Sequence, residues 1–132
     1  MRRDFALPSE DMEWLETRGS EYELVREVNA LRVVLYDFDV PPGYQVDRVT
    51  ANVRIEAGYP DTQIDMVYFF PSLARTNGRP IGAISPDQFD GKSWQRWSRH
   101  RTPANPWRPG IDNLATHFAL VQDWLEREAR KV

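Results

Sequence analysis

An α+β fold, with a helix at each end of an antiparallel meander, is what three features of this sequence predict. Apolar and polar residues alternate with period two in successive runs between residues 21 and 70. Turn-forming stretches, Pro41-Pro42-Gly43 and Gly58-Tyr59-Pro60-Asp61, punctuate those runs. Residues 111–130 instead repeat their apolar positions every three or four residues. Strand periodicity gathered in one part of the chain and helix periodicity in another is the pattern of helices packed on one antiparallel sheet.

The first element predicted is a short helix over Leu7–Gly19, with Ser9 as N-cap. Glu10 and Asp11 suit its positive N-terminal end, Arg18 suits the other end, and Gly19 stops it. Three strands follow, over residues 21–28 (EYELVREV), 31–40 (LRVVLYDFDV) and 46–56 (VDRVTANVRIE). In the third, Val46, Val49, Ala51, Val53 and Ile55 fall largely on one side. Residues 64–70 (IDMVYFF) make a fourth strand, stopped by Pro71. Residues 72–109 show no regular pattern, a span well beyond the ordinary connection, and long structured loops commonly carry function. The clearest element is last: Ile111, Leu114, Phe118, Val121 and Leu125 stripe one face of a helix over 111–130. Asp112 lies in its first turn, and Arg127, Arg130 and Lys131 close it. With no repeat, low-complexity tract or linker, residues 1–132 are expected to form one domain.

Composition narrows the function. The chain is 41% hydrophobic and 28% charged, an ordinary globular balance, and its mean hydropathy is −0.62. No apolar run approaches the roughly 20 residues of a membrane span, and no apolar stretch follows the N-terminal arginines, so a cytoplasmic protein is expected. The absence of cysteine excludes disulfides, thiolate nucleophiles and cysteine zinc sites. Two histidines, His100 and His117, are too few for a histidine-rich metal centre. No metal or cofactor is expected.

Charge singles out one stretch, SWQRWSRHR at residues 93–101. Residues 92–108 hold Lys92, Arg96, Arg99, Arg101 and Arg108 and no acid. All 20 acidic residues and the other 12 basic ones lie elsewhere, so the rest of the chain carries −8. A positive spot on an acidic body marks a contact surface or a solvated loop. Interleaved tryptophan and arginine also suit single-stranded nucleic acid, although the acidic body would repel a polyanion.

Several of these stretches resemble the ubiquitin-conjugating enzyme superfamily, and within it a bacterial branch, prokaryotic family E. Gly58–Asp61 (GYPD) looks like that fold's Tyr-Pro turn, and Asp65–Leu73 (DMVYFFPSL) like its fourth strand and exit. Gly91–Leu125, with its Trp-Gln-Arg-Trp-Ser-Arg-His run and Trp-Arg-Pro-Gly downstream, looks like the active-site loop, the tryptophan-containing turn and the following helix. The resemblance implies a fold with an N-terminal helix, a four-stranded meander, a long active-site loop and a C-terminal helix. It implies a protein that accepts a ubiquitin-like protein from an activating enzyme and passes it to an amine. In the superfamily the acceptor is a cysteine about eight residues before the tryptophan of that turn; the same interval before Trp107 reaches Arg99, flanked by Ser98 and His100. No cysteine is there, and the superfamily's upstream His-Pro-Asn signature is absent too. Asp90 stands near that signature's spacing, but an ionised carboxylate cannot donate to an oxyanion.

Ser98 is therefore the acceptor candidate, giving an oxyester, with His100 as general base. Arg99 and Arg96 are placed to steady an oxyanion or the incoming acyl tail. Trp97, Arg101 and Trp107 are candidate binding residues, Trp107 matching the superfamily's structural tryptophan; packing is the competing role for the tryptophans. Asn105 is a candidate oxyanion donor if the loop folds back, with a plain turn between Pro103 and Pro106 the competing reading, and His117 reads as structural. The alternative function is an inactive module of the same fold that binds a ubiquitin-like protein or the activating enzyme, since loss of the cysteine is the usual mark of such modules.

Overall fold

A computed structural model describes the whole chain, Met1–Val132. The elements are α1 (Ser9–Arg18), β1 (Tyr22–Arg26), β2 (Leu31–Asp39), β3 (Arg48–Ile55), β4 (Val67–Phe70), β5 (Ile84–Phe89), β6 (Lys92–Trp97) and α2 (Leu114–Arg130). They form the expected α+β fold, a helix at either end and a meander β1–β4 between. The sheet, however, has six strands in the order β1-β2-β3-β4-β6-β5, all neighbours antiparallel. The segment 72–109, expected to be irregular, thus contains a hairpin, and SWQRWSRHR begins inside a strand.

Asp90-Gly91 makes that hairpin. Both residues take positive φ, 54° and 73°, between strands that end at Phe89 and restart at Lys92. Two central residues of positive φ are what a tight hairpin turn of matching twist requires, and Asp-Gly provides them cheaply. Asp90 therefore sits at the far end of β6 from Ser98, its carboxylate accepting from the Arg2 guanidinium at 2.6 and 3.0 Å.

Alternation along the strands sorts side chains to two faces. Towards the helices lie Val33 and Leu35 of β2, Val49, Ala51, Val53 and Ile55 of β3, Val67 and Phe69 of β4, and Trp97 of β6. Leu15 of α1 and Leu114, Phe118, Val121 and Leu125 of α2 close over them in a cluster of 23 buried residues. Each such aliphatic or aromatic side chain contributes about 1.5–3 kcal/mol through its removal from water. On the other face Val25, Val34, Tyr68, Phe89 and Trp94 form a smaller cluster. The sheet curls to make it: Asp87 of β5 reaches Arg32 of β2 at 3.1 Å although three strands intervene.

Some ends differ from expectation. Ser9 is the first helical residue and caps nothing; Pro8 precedes the helix without a side-chain cap. Gly19 does end α1, in the left-handed region. α2 begins at Leu114, because Asn113 and Thr116 form a reciprocal capping box there. Ile111 consequently lies outside the helix and is exposed. β4 begins only at Val67, because Met66 turns left-handed, with φ 63°. The GYPD turn ties the helices together: buried Asp11 of α1 accepts from the Tyr59 hydroxyl at 2.6 Å and from the Leu114 N–H, at the start of α2, at 3.1 Å. Burial pushes the Asp11 carboxyl above its ordinary pKa.

Candidate active site

The candidate site grows out of the end of β6. Beyond Trp97 the strand has ended, but hydrogen bonds still hold the chain on both sides. The Ser98 N–H donates to the Ala83 carbonyl at 3.0 Å, and the Arg99 carbonyl accepts from the Met66 N–H at 3.2 Å. Trp97 and Arg99 lie on the α2 side; the two-residue alternation of β6, carried past its end, sets Ser98 and His100 on the other.

Arg99 is anchored on α2. Its guanidinium lies 4.8 Å from the centre of the Trp97 ring and 3.0 Å from the Glu128 carboxylate. Burial pushes Glu128 up, but Lys131, the Gly82 N–H and Arg99 outweigh it and hold the carboxyl below its ordinary value. The structure thus turns Arg99, the third residue read as catalytic, towards α2 and away from the acceptor candidate.

His100 meets a residue that sequence reasoning missed. Its Nδ1 lies 2.8 and 3.0 Å from the two carboxylate oxygens of Asp65. A carboxylate only accepts, so Nδ1 carries the hydrogen and Nε2 of the neutral ring keeps its lone pair. The ring is well exposed, with 58% of its side-chain surface accessible. No hydrogen bond joins the Ser98 hydroxyl to it.

The binding candidates divide. Arg96 lies on the sheet face away from the helices and donates from Nε to the Ser85 hydroxyl at 3.0 Å. Trp97 is fully buried, edge-on to Phe69 at 5.5 Å, with its Nε1–H donated to Gln95. It has no surface to offer a partner, because this position of β6 faces the core. Trp94 is buried against Phe70 and Phe89 on the other face, so neither ring is open to stack on a base. Trp107, half-buried, donates from Nε1 to the Pro60 carbonyl at 2.9 Å and leans on Tyr59. Arg101 lies 5.0 Å from the centre of the Trp107 ring and 3.6 Å from Asp112. These two brace the segment after the site against the GYPD turn. Asn105 is exposed and accepts from Arg101 at 3.4 Å.

The positive spot read from the sequence is largely neutralised by residues far along the chain or one turn away. Arg99 pairs with Glu128, and Arg101 and Arg108 both approach Asp112. No cluster of three or more His, Cys, Asp or Glu is arranged to hold a metal ion.

Backbone conformation marks the same place. Four residues other than glycine have positive φ: Asp37, Met66, Ala83 and Asp90. Asp37 falls at the irregularity in the β2–β3 register, and Asp90 in the hairpin turn. Met66 and Ala83, at 63° and 51°, have no such local reason, and both are bonded to the Ser98–Arg99 segment. A left-handed residue with a Cβ costs about 1–2 kcal/mol and persists only where surrounding contacts enforce it. Behind Met66 stands His117 of α2. It is completely buried, donates from Nε2 to the Met66 carbonyl at 2.8 Å and has no partner for Nδ1. Burial depresses its pKa to about 4, so the ring is neutral.

A helix on each flank of an antiparallel meander, with a braced tryptophan ahead of the second helix, is a UBC-like architecture. The chain belongs to prokaryotic E2 family E, whose model matches residues 7–128. No curated protein and no solved structure matches it. Membership places the chain in ubiquitin-like conjugation, a chemistry that works with ubiquitin-like proteins and activating enzymes. No helix is long and apolar enough to cross a membrane.

Proposed function

We propose that this protein carries a ubiquitin-like protein as an oxyester on Ser98 and transfers it to an amine on a target, with His100 as the base. The reading is supported by Ser98 and His100 standing two residues apart on a segment pinned by hydrogen bonds, at about the interval before Trp107 where the superfamily it resembles carries its acceptor. In the first step His100 Nε2 takes the Ser98 hydroxyl proton as Oγ bonds to the acyl carbon delivered by the activating enzyme. The bond to that enzyme breaks, and its leaving group receives the proton from His100. In the second step the amine nitrogen bonds to the acyl carbon, the bond to Oγ breaks, and His100 returns a proton from the amine to Ser98. Because an alkoxide leaves less readily than a thiolate, the second step leans more heavily on this proton. Arg96, half-buried on the sheet face away from the helices and without an acidic partner, is the cation available to the incoming acyl tail.

Incubation with ATP, an activating enzyme and its ubiquitin-like protein, followed by a denaturing gel, tests the reading. The expected adduct survives thiol reductant, is cleaved by mild alkali and is absent in Ser98→Ala. An adduct that persists in Ser98→Ala sinks the Ser98 assignment. The binding-module alternative draws on the missing cysteine and on the absence of a hydrogen bond between the Ser98 hydroxyl and His100. Measurable affinity for the ubiquitin-like protein without any wild-type adduct decides for it.

A further inference from the structure

We infer that Asp65 is the positioning residue of this site and that His117 holds it in place from inside the core. The inference rests on the reading of His100 as base given above. Asp65 is 35 residues from His100 in sequence, yet its two oxygens lie 2.8 and 3.0 Å from Nδ1. A base oriented in this way presents Nε2, with its lone pair, on the side away from the carboxylate.

The strand register shows what puts Asp65 there. Val67 pairs with Trp97, so a regular continuation of β4 would set Met66 against Ser98, Asp65 against Arg99 and Ile64 against His100. Residues directly opposed across an antiparallel pair share a face. In that arrangement Asp65 would point towards α2, with Arg99, and Ile64 would point outward, with His100. The structure shows the reverse: Ile64 is buried in the helix-side core and Asp65 bonds to His100. Left-handed Met66 makes the switch, since one residue out of the β region exchanges the faces of the residues before it.

Met66 does not favour that conformation by itself, and its two peptide groups are held from outside. Its N–H donates to the Arg99 carbonyl, and its own carbonyl accepts from His117 Nε2. A short connection therefore runs from α2 through His117 and the Met66 peptide to Asp65, and from Asp65 to the base. His117 spends its one ring N–H on it, leaving Nδ1 without a partner.

Ring nitrogen NMR of the intact protein, read beside the adduct assay, tests this. Neutral His100 is expected to show the Nδ1–H form in the wild type and to lose that preference in Asp65→Ala. Adduct formation is expected to slow at least about 100-fold in Asp65→Ala, the lower range of what a well-placed proton acceptor contributes. Asp65→Glu, which keeps a carboxylate, should recover part of both. His117→Leu should shift the His100 signature without touching His100, whereas His117→Gln, which keeps an N–H donor, should shift it less. An unchanged His100 signature in Asp65→Ala overturns the inference, as does a changed signature with an unchanged adduct rate. An adduct persisting in Ser98→Ala, with the His100 signature still answering to Asp65, would instead fault the acceptor and leave the positioning intact.

Discussion

The two ends of β6 solve opposite problems. At the start, Asp90 and Gly91 take left-handed conformations because the chain must reverse, and the residue types suit the geometry. At the finish, Met66 and Ala83 take the same conformation beside Ser98 and Arg99, and their residue types do not suit it. The first end is specified locally, by residue types that suit the turn. The second is imposed by tertiary contacts: the core beneath Trp97, the Arg99–Glu128 pair and His117 behind Met66. A segment held in a conformation its own residues disfavour is held by the rest of the fold, and on the proposed reading it is the segment that carries Ser98 and His100.

The largest effect should come from removing the floor of the second end. Trp97→Ala empties a fully buried site between Phe69 and Tyr44 and is expected to cost about 3–5 kcal/mol, read as a lower urea midpoint. Asp90→Ala, at the other end, loses an exposed ion pair with Arg2 and a favourable turn residue and should cost about 1 kcal/mol. Comparable losses at both ends would break the distinction between a tertiary and a local solution.

That distinction also explains what the sequence could and could not disclose. α2 was legible because Leu114, Phe118, Val121 and Leu125 all face one core at helical spacing. β1–β3 were legible because turn residues separate them and their helix-facing positions are apolar. β6 was not, because it is buried on both faces: Trp94 serves one cluster, Trp97 the other, and Gln95 is buried between them. Its partner β5, ISPDQF, is half polar and holds a proline. The one local signal for the hairpin was Asp90-Gly91, with Phe89 just before it and Trp94 three residues after. Ser98 and His100 were reached through the family's spacing, and nothing local pointed to Asp65, since the turn at Met66 that aims it depends on His117, 51 residues away.

Next in size is a pH effect at the buried histidine. The unfolded His117 titrates near 6.5 and the folded one at about 4. Between those values the unfolded chain binds the proton and the folded one does not, so stability is lost as pH falls from 6.5 towards 4. The ordinary magnitude of such a shift is on the order of 3 kcal/mol. The slope of unfolding free energy across this window should flatten in His117→Gln, which cannot titrate. A slope unchanged by the substitution would mean that His117 is not held neutral, and that α2 does not grip Met66 in the way described.

The smallest effect is the sharpest test, because it predicts opposite signs. Gly91 has φ 73° and open space where a Cβ would lie, so Gly91→Ala changes conformation and little else. It should cost about 1 kcal/mol, as an added Cβ does in the left-handed region. Ala83 has the same conformation with the Cβ already present, and it is exposed. Ala83→Gly removes that cost of about 1–2 kcal/mol and adds about 0.5–1 kcal/mol of extra freedom in the unfolded chain. The net should be a gain of about 0.5 kcal/mol, where glycine at an ordinary exposed alanine would lose stability. Equilibrium unfolding of the two variants decides it. A loss in Ala83→Gly would show that Ala83 carries no strain, and the two ends of β6 would then differ in sequence alone. A gain in stability joined to a slower adduct reaction would tie the strain to the orientation of Ser98, since the Ala83 carbonyl is the acceptor that holds the Ser98 backbone.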